Sequence, residues 1–399
     1  MPQIVTVSSP AGAALELEKI GCDPRGTAIM KDKGILFALK LFGLTVPQAS
    51  IIKQEMLSYG GEAANAYGTI NNSIKRTDVL LFGTHAQLKK LVKKLASHPF
   101  SLPAIGKEIG SALVNHLSYP PPLKIKNRKF DLKKRTLIMG VLNVTPDSFS
   151  DGGLYYNIEE AVARGKEMCG SGADIIDVGG ESTRPGAGSV GTKEEIRRVV
   201  PVIKALARDK KCVISVDTRK AAVAEAALKA GAAIVNDVSA LRHDRKMAGV
   251  IARNRAGVIL MHMLGTPRTM QKRPSYGDVA AEVISFLKER VEFADRTGIL
   301  PDRVIVDPGF GFGKTLGHNL ELLARLSEFK SLGRPVLAGT SRKSMIGKIL
   351  DLPPEKRIMG TAATVAAAIM NGAAIVRVHD VIEMSEVART ADAIVRRKK

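Results

Sequence analysis

Val213-Ile-Ser-Val-Asp-Thr218, the helical segment Lys220–Ala230 and the run Ala233-Ile-Val-Asn-Asp-Val238 follow one another in the chain, and this stretch decides the fold. The first and third segments are short and rich in Val and Ile, as suits parallel strands covered on both faces. The Ala-rich segment between them has helical spacing. Strand, helix and strand make a βαβ unit. Each strand ends in polar residues, Asp217 in one and Asn236-Asp237 in the next.

The same alternation runs from Thr136 onward. Further strands are expected at Thr136–Val144, Asp174–Gly179, Gly257–Met263, Val304–Pro308, Pro335–Thr340 and Ala374–His379. Helical patterns lie between them at Ile158–Gly170, Lys193–Ala207 and Asp278–Thr297. Eight such units in about 260 residues match the size of a closed barrel, and an open doubly wound sheet is the lesser choice. The expected fold is α/β, a (β/α)8 TIM barrel preceded by a small α+β domain.

That smaller domain is expected over residues 1–122. Ile35–Lys40 and Asp78–Gly83 suit strands, Pro47–Tyr59 a helix, and His85–Ser97 an amphipathic helix with Leu88, Leu91, Val92 and Leu95 on one face. No catalytic constellation stands out. His85 and His98 lack an acidic neighbour at telling spacing and read as structural or exposed. Pro120-Pro121-Pro122 then stiffens the chain, and residues 123–135, with their many Lys and Arg, are expected to be a solvated basic linker. The barrel is expected over 136–399.

Composition narrows the function classes. The 399 residues carry a net charge of +21, but the basic residues are spread along the chain and there is no Trp. A platform for single-stranded bases needs aromatics, so the charge reads as a solvated surface that attracts anionic substrates, and no nucleic-acid partner is expected. No apolar run is long enough for a membrane span, and the first residues do not resemble a secretory signal. Cys22, Cys169 and Cys212 are widely spaced and odd in number, and all three are expected to be reduced core thiols. These points favour the cytoplasm.

Polar groups gather at the strand ends: Asn143, Asp177 with Glu181, Asp217, Asn236 with Asp237, His262, Asp307, Ser341-Arg342-Lys343, and Arg377 with His379 and Asp380. Barrel enzymes build their sites at this face. Asp217, Asn236 and Asp307 supply acceptors and an amide for a flat ligand rich in N–H donors. Lys343, Arg377 and His379 suit an anion. The run Gly309–Lys314 lets backbone approach a ligand and adds a cation. It is neither a P-loop nor a dinucleotide fingerprint. His262 reads as a satisfied structural histidine and Asp177 as a brace for the loop that follows it. A donor-rich ligand on one side and a cationic patch on the other imply a substrate with an anionic leaving group.

Seven segments in order resemble the dihydropteroate synthases: Met139–Gly153, Asp177–Gly186, Ser215–Thr218, Asn236–Val238, Asp307–Phe312, Gly339–Lys343 and Arg377–Asp380. Ala240 departs from the family's common Gly. The resemblance covers the barrel and leaves the first domain without a role. It implies condensation of 6-hydroxymethyl-7,8-dihydropterin pyrophosphate with p-aminobenzoate to dihydropteroate and pyrophosphate. Asp217, Asn236, Met261, Asp307 and Lys343 would hold the pterin, and Asp217, Asp307 and Lys343 would act in catalysis. Asn143, Arg377 and His379 would bind the pyrophosphate, with Asn143 a ligand of Mg²⁺. Thr183, Arg184, Phe312 and Ser341 would form the p-aminobenzoate pocket. The loops Thr145–Gly153 and Ser182–Gly191 would close over it. A homodimer is also implied. The nearest rival, a pterin-binding methyltransferase, would share the Asp and Asn residues but would not need Lys343 with the Arg377/His379 pair.

Overall fold

The structure, a computed structural model, describes residues 1–145, 158–181, 188, 190–267 and 269–396. The chain forms two compact units that divide between Ser118 and Tyr119.

The first unit contains α1 (Pro10–Lys19), α2 (Pro24–Met30), β1 (Leu36–Thr45), α3 (Val46–Ser58), β2 (Glu62–Asn65), β3 (Arg76–Thr84), α4 (His85–Leu95) and α5 (Leu102–Leu117). Its sheet is antiparallel with order β1-β3-β2. Leu88, Leu91 and Leu95 of α4 are buried with Ile52 and Met56 of α3, Val79 and Leu81 of β3, and Ile109 and Leu113 of α5. The apolar stripe of α4 is therefore its core face. The two histidines are structural, with acidic partners that are distant in sequence: His85 Nδ1 lies 3.2 Å from Asp32 and His98 Nε2 lies 2.8 Å from Glu55. Those partners are 53 and 43 residues distant, beyond the reach of local spacing.

The second unit opens with a hairpin of β4 (Leu123–Ile125) and β5 (Arg128–Phe130). Then come β6 (Leu137–Asn143), α6 (Ile158–Gly170), β7 (Ile175–Gly179), α7 (Thr192–Ala207), β8 (Val213–Asp217), α8 (Ala221–Ala230), β9 (Ile234–Asp237), α9 (Met247–Arg253), β10 (Gly257–Met261) and α10 (Val279–Arg296). The remainder is β11 (Val304–Asp307), α11 (Leu316–Ala324), β12 (Leu337–Ala338), α12 (Ser344–Leu350), α13 (Ile358–Met370), β13 (Ile375–Val378) and α14 (Val381–Val395). The eight strands β6 to β13 are parallel in the order β11-β10-β9-β8-β7-β6-β13-β12, and a parallel bridge between Val306 and Val336 joins the ends. This is the expected TIM barrel.

Side chains alternate along each strand. One set, including Ile176, Val178, Ile214, Val216, Val235, Val258, Leu260, Val376 and Val378, packs with the surrounding helices. The other set fills the barrel: Leu137, Met139, Ile175, Val213, Ile234, Ile259, Ile305, Leu337 and Ile375 form one apolar floor. Leu123, Ile125 and Leu132 belong to that floor as well. The segment expected to be a solvated linker is thus the plug of the barrel. Its charges stay at the rim: Lys126 Nζ donates to Gly231 O at 2.7 Å, and Lys124 pairs with Asp302 at 2.9 Å.

The cysteine expectation also fails. Cys169, in the last turn of α6, and Cys212, just before β8, form a disulfide with Cα atoms 5.8 Å apart; Cys22 is free. The pair spans 43 residues, and the odd total concealed it. Ala240 sits at φ 52°; its carbonyl accepts from Arg290 Nε at 2.8 Å. Among the described residues, no helix is long and apolar enough to cross a membrane.

Candidate active site

Two residues beyond the floor, the same inward-facing rows turn polar. Ile175 gives way to Asp177, Ile234 to Asn236, Ile305 to Asp307 and Ile375 to Arg377, while Val213 is followed by Ser215 and then Asp217. Period two carries each strand from the floor to the mouth. There Asp217, Asn236, Val238, Met261, Asp307, Phe310, Phe312, Gly339, Lys343 and Arg377 line one cavity.

Asp177 sits beneath the cavity and organises two of its walls. Its Oδ2 accepts from Asn236 Nδ2 at 2.9 Å and from Arg377 Nε at 2.7 Å. It therefore braces Asn236 and Arg377. Arg377 also donates through Nη2 to Asp217 Oδ2 at 3.0 Å. A guanidinium with its donors in a fixed fork can hold two carboxylates apart in this way. Asp237, adjacent to Asn236, serves the turn: its carboxylate accepts from the amides of Ser239 and Leu241 and from Ser239 Oγ.

Burial and close charges set the protonation of the site. Burial pushes Asp217 up to about 7; Asp177 adds to the shift and Arg377 opposes it. Burial also pushes Asp307 up, against the Gly309 N–H and the nearby cations Lys343, Arg377 and Lys314. Burial pulls Arg377 down, but Asp177 and Asp217 more than offset that and keep it charged. His379 is pulled down to about 3 by burial and by Arg377, Arg342 and Lys343, so its imidazole is neutral. A neutral ring can still donate one N–H to an anion.

The loop after β11 supplies an aromatic wall. Lys343 Nζ lies 4.4 Å from the centre of the Phe312 ring, a cation–π geometry. Lys343 itself is placed by a short turn in which Arg342 takes φ 56° and ion-pairs with Asp380. Arg357 Nη1 donates to Arg342 O at 3.0 Å and ties that turn to α13. Val238, Met261, Met263 and Met270 form the apolar patch against which Phe312 packs.

Residues 139–379 match the family model described as pterin binding enzyme. The chain is 49% identical over 277 residues to the dihydropteroate synthase of Synechocystis, covering 69% of this chain and 96% of that one. A dihydropteroate synthase from Clostridium difficile, solved in the presence of pteroic acid, superposes with a TM-score of 0.64 at 50% identity, covering 67% of this chain and 100% of that chain. The chain belongs to the dihydropteroate synthases, in the pterin-binding enzyme family. A probable bifunctional folylpolyglutamate synthase/dihydropteroate synthase of Halobacterium salinarum is 43% identical over 377 residues, which is 94% of this chain and 45% of that one. That match extends through most of the first unit, so the synthase barrel and its N-terminal neighbour occur together there too.

Of the residues expected to form the synthase site, Asp217, Asn236, Met261, Asp307, Phe312, Lys343 and Arg377 converge on one cavity. Asn143, Ser341 and His379 stand outside its lining. Asn143 Oδ1 and Asp217 Oδ2 lie near the same glycine, 3.7 and 4.0 Å from where a Cβ of Gly179 would be. Ser341 is buried and bonds the ring of His379, Oγ to Nδ1 at 3.0 Å, while its Oγ accepts the His379 amide at 3.2 Å. Thr183 and Arg184 lie outside the described residues, as do most of the two loops expected to close the site. Lys314 adds no cation to the pocket: it is buried, and its ammonium is spent on loop carbonyls and His262. The sequence reading missed Val238, Phe310 and Gly339. Val238 lies two positions beyond Asn236, so the strand alternation already carried that signal.

Proposed function

We propose that this chain condenses 6-hydroxymethyl-7,8-dihydropterin pyrophosphate with p-aminobenzoate. The reading is carried by one observation: Asp217, Asn236 and Asp307 face a cavity whose rim holds Lys343 and Arg377. Two carboxylates and an amide match the N–H donors of a pterin edge, and Met261 with Val238 offers an apolar surface to its ring. In the reaction, the bond from the pterin CH2 to the pyrophosphate oxygen breaks. The arylamine nitrogen forms the new C–N bond and loses a proton, and pyrophosphate leaves. The residues contribute position and charge: Asp217 and Asp307 favour the electron-poor pterin, while Arg377, His379 and Lys343 favour the departing anion. No covalent enzyme intermediate is required.

The donor set suits Mg²⁺ brought in with the substrate. Among the described residues no three acidic or sulfur/imidazole ligands cluster, and Mg²⁺ accepts one protein oxygen when phosphates and waters supply the rest. Asn143 Oδ1 would be that oxygen, and the ion would neutralise charge on the pyrophosphate. Phe312 would form a wall for p-aminobenzoate, together with Thr183, Arg184 and Ser341. A cytoplasmic homodimer completes the reading, and sedimentation of the purified chain tests its oligomeric part.

The deciding assay supplies Mg²⁺, the pterin pyrophosphate and p-aminobenzoate, and follows dihydropteroate and pyrophosphate together. Equal release of both, reduced at least about a hundredfold in Lys343→Ala and Asp307→Ala, is expected. A folded, pterin-binding protein that releases neither product would sink the reading. Activity undiminished by EDTA would remove the magnesium part alone.

A further inference from the structure

One buried cation has no part in the reaction as described. Lys314, 3% exposed, donates from Nζ to Gly309 O at 3.0 Å, Phe312 O at 3.1 Å and His262 Nδ1 at 3.0 Å. Burial pulls Lys314 down to about 7 although Asp307 opposes the shift; in its charged form the group has three N–H donors, and these contacts use all of them. Two acceptors lie in the loop that Lys314 ends, and the third lies just beyond β10. Burial, with Lys314 and Arg242 nearby, pulls His262 down to about 2, so its ring is neutral and can accept at Nδ1.

The loop is braced from other sides too. Gln271 Nε2 donates to Gly311 O at 2.7 Å, Tyr276 OH donates to Gly313 O at 2.8 Å, and the Gly311 amide donates to Asn319 Oδ1 at 2.7 Å. Loop and β10 tail touch backbone to backbone: a Cβ on Gly309 would lie 2.0 Å from His262 O. This frame presents Phe310 and the ring of Phe312 to the cavity, the latter 4.4 Å from Lys343 Nζ. Asp217 and Asn236, by contrast, sit on strands away from this loop, and Asp307 is fixed by β11, with one carboxylate oxygen accepting the Gly309 amide at 2.7 Å.

We propose that Lys314 is a positioning residue for the arylamine half of the reaction: its buried ammonium locks the 309–313 loop onto the end of β10 and fixes the Phe312 ring against Lys343. The inference rests on the functional reading above, in which Phe312 is an arylamine wall. Lys314 touches no substrate. Without it, two loop carbonyls and an imidazole nitrogen lose their donor in a buried place, and the loop gains freedom to turn them elsewhere.

The test uses the full chain with Lys314→Met, and with Lys314→Gln, which retains N–H donors on a shorter stem. The expected result for the Met variant is a p-aminobenzoate KM raised at least about tenfold, with kcat and the calorimetric Kd for the pterin pyrophosphate within about threefold. The Gln variant should move the same way by less. The chain has no Trp, so Phe312→Trp installs a single emitter on the loop. Acrylamide should quench it about twofold more when Lys314→Met is added. Unchanged arylamine KM with unchanged quenching overturns the proposal, as does equal weakening of both substrates. If the Met variant does not fold, the Gln variant decides by the same readouts. If the wild type binds the pterin pyrophosphate yet makes no dihydropteroate, the functional reading falls, and the quenching comparison alone decides the role of Lys314.

Discussion

The floor and the mouth of the barrel are built by the same strands, two residues apart, yet they obey opposite rules. At the floor Ile175, Ile234, Ile305 and Ile375 join Leu123, Ile125 and Leu132 in one buried apolar cluster. At the mouth the corresponding rows present Asp177, Asn236, Asp307 and Arg377, which are tied to one another or held against their preferred protonation. The floor gains stability from each methylene it removes from water. The mouth gives stability up, since burial penalises its carboxylates until a ligand arrives. One end of the barrel therefore holds the fold and the other is spent on binding.

Arg377→Met, which makes a mouth position resemble the floor, should have the largest effect. It leaves Asp177 and Asp217 buried without the guanidinium between them. Removing one partner of a buried charge network costs about 3–5 kcal/mol. Urea unfolding at pH 8 should show that loss, alongside loss of product formation. Unchanged stability would mean that the guanidinium is not needed to hold the two carboxylates, and the contrast between the two ends would weaken. Ile305→Ala, two residues below Asp307, should cost about 3 kcal/mol through the cavity it leaves. Both KM values should stay within about twofold; a pterin KM that rose with it would show that floor and mouth are coupled.

Asp217→Asn separates binding from stability by pH. The folded Asp217 carboxyl is raised to about 7 from an ordinary 3.8. A raised carboxyl holds its proton more tightly in the folded state, so its stabilising contribution is full below the unfolded value and is lost as pH rises toward 7. Asn does not titrate. The variant should therefore gain on the wild type by about 3 kcal/mol between pH 5 and pH 8 while losing pterin affinity. In the wild type, pterin affinity should fall as the pH drops below about 7. A stability difference that is the same at both pH values would show that Asp217 does not titrate in that window.

This division explains what the sequence reveals. Parallel strands covered on both faces demand continuous apolar runs, so β6 to β11 and β13 stand out, and polar residues at the ends of such runs mark the mouth. The two-residue β12 is shorter than the Pro335–Thr340 run because only Leu337 and Ala338 keep the ladder. Long-range pairing left no local signal: nothing in the sequence says that Asp177 holds Arg377, 200 residues away, or that Cys169 meets Cys212. The hairpin plug had a signal that its charge hid. Leu123 and Ile125 alternate with Lys124 and Lys126, the period of a half-buried strand, within a run whose lysines suggest solvent. Lys314 misled for the same reason, since a lysine after glycines reads as a free cation until its three acceptors are seen.

The smallest expected effect compares two glycines that share a backbone conformation. Gly311, at the mouth, has φ +81°, and a Cβ there would lie 3.4 Å from Lys343 Cδ and 3.9 Å from its Nζ. Gly298, between α10 and β11, has φ +87° with nothing within 4 Å of the added atom. Alanine at either position pays the left-handed penalty of about 1 kcal/mol, so thermal unfolding should shift alike for both. Only Gly311→Ala adds an atom beside the stem of Lys343. Its kcat/KM should fall about five- to tenfold, equivalent to about 1 kcal/mol, with Gly298→Ala at the wild-type value. If both variants lose activity equally, backbone strain accounts for the loss and the seat of Lys343 is looser than the geometry indicates. If only Gly311→Ala loses it, the glycine is there to leave room for the lysine, and the mouth depends on an absent side chain as much as on those that line it.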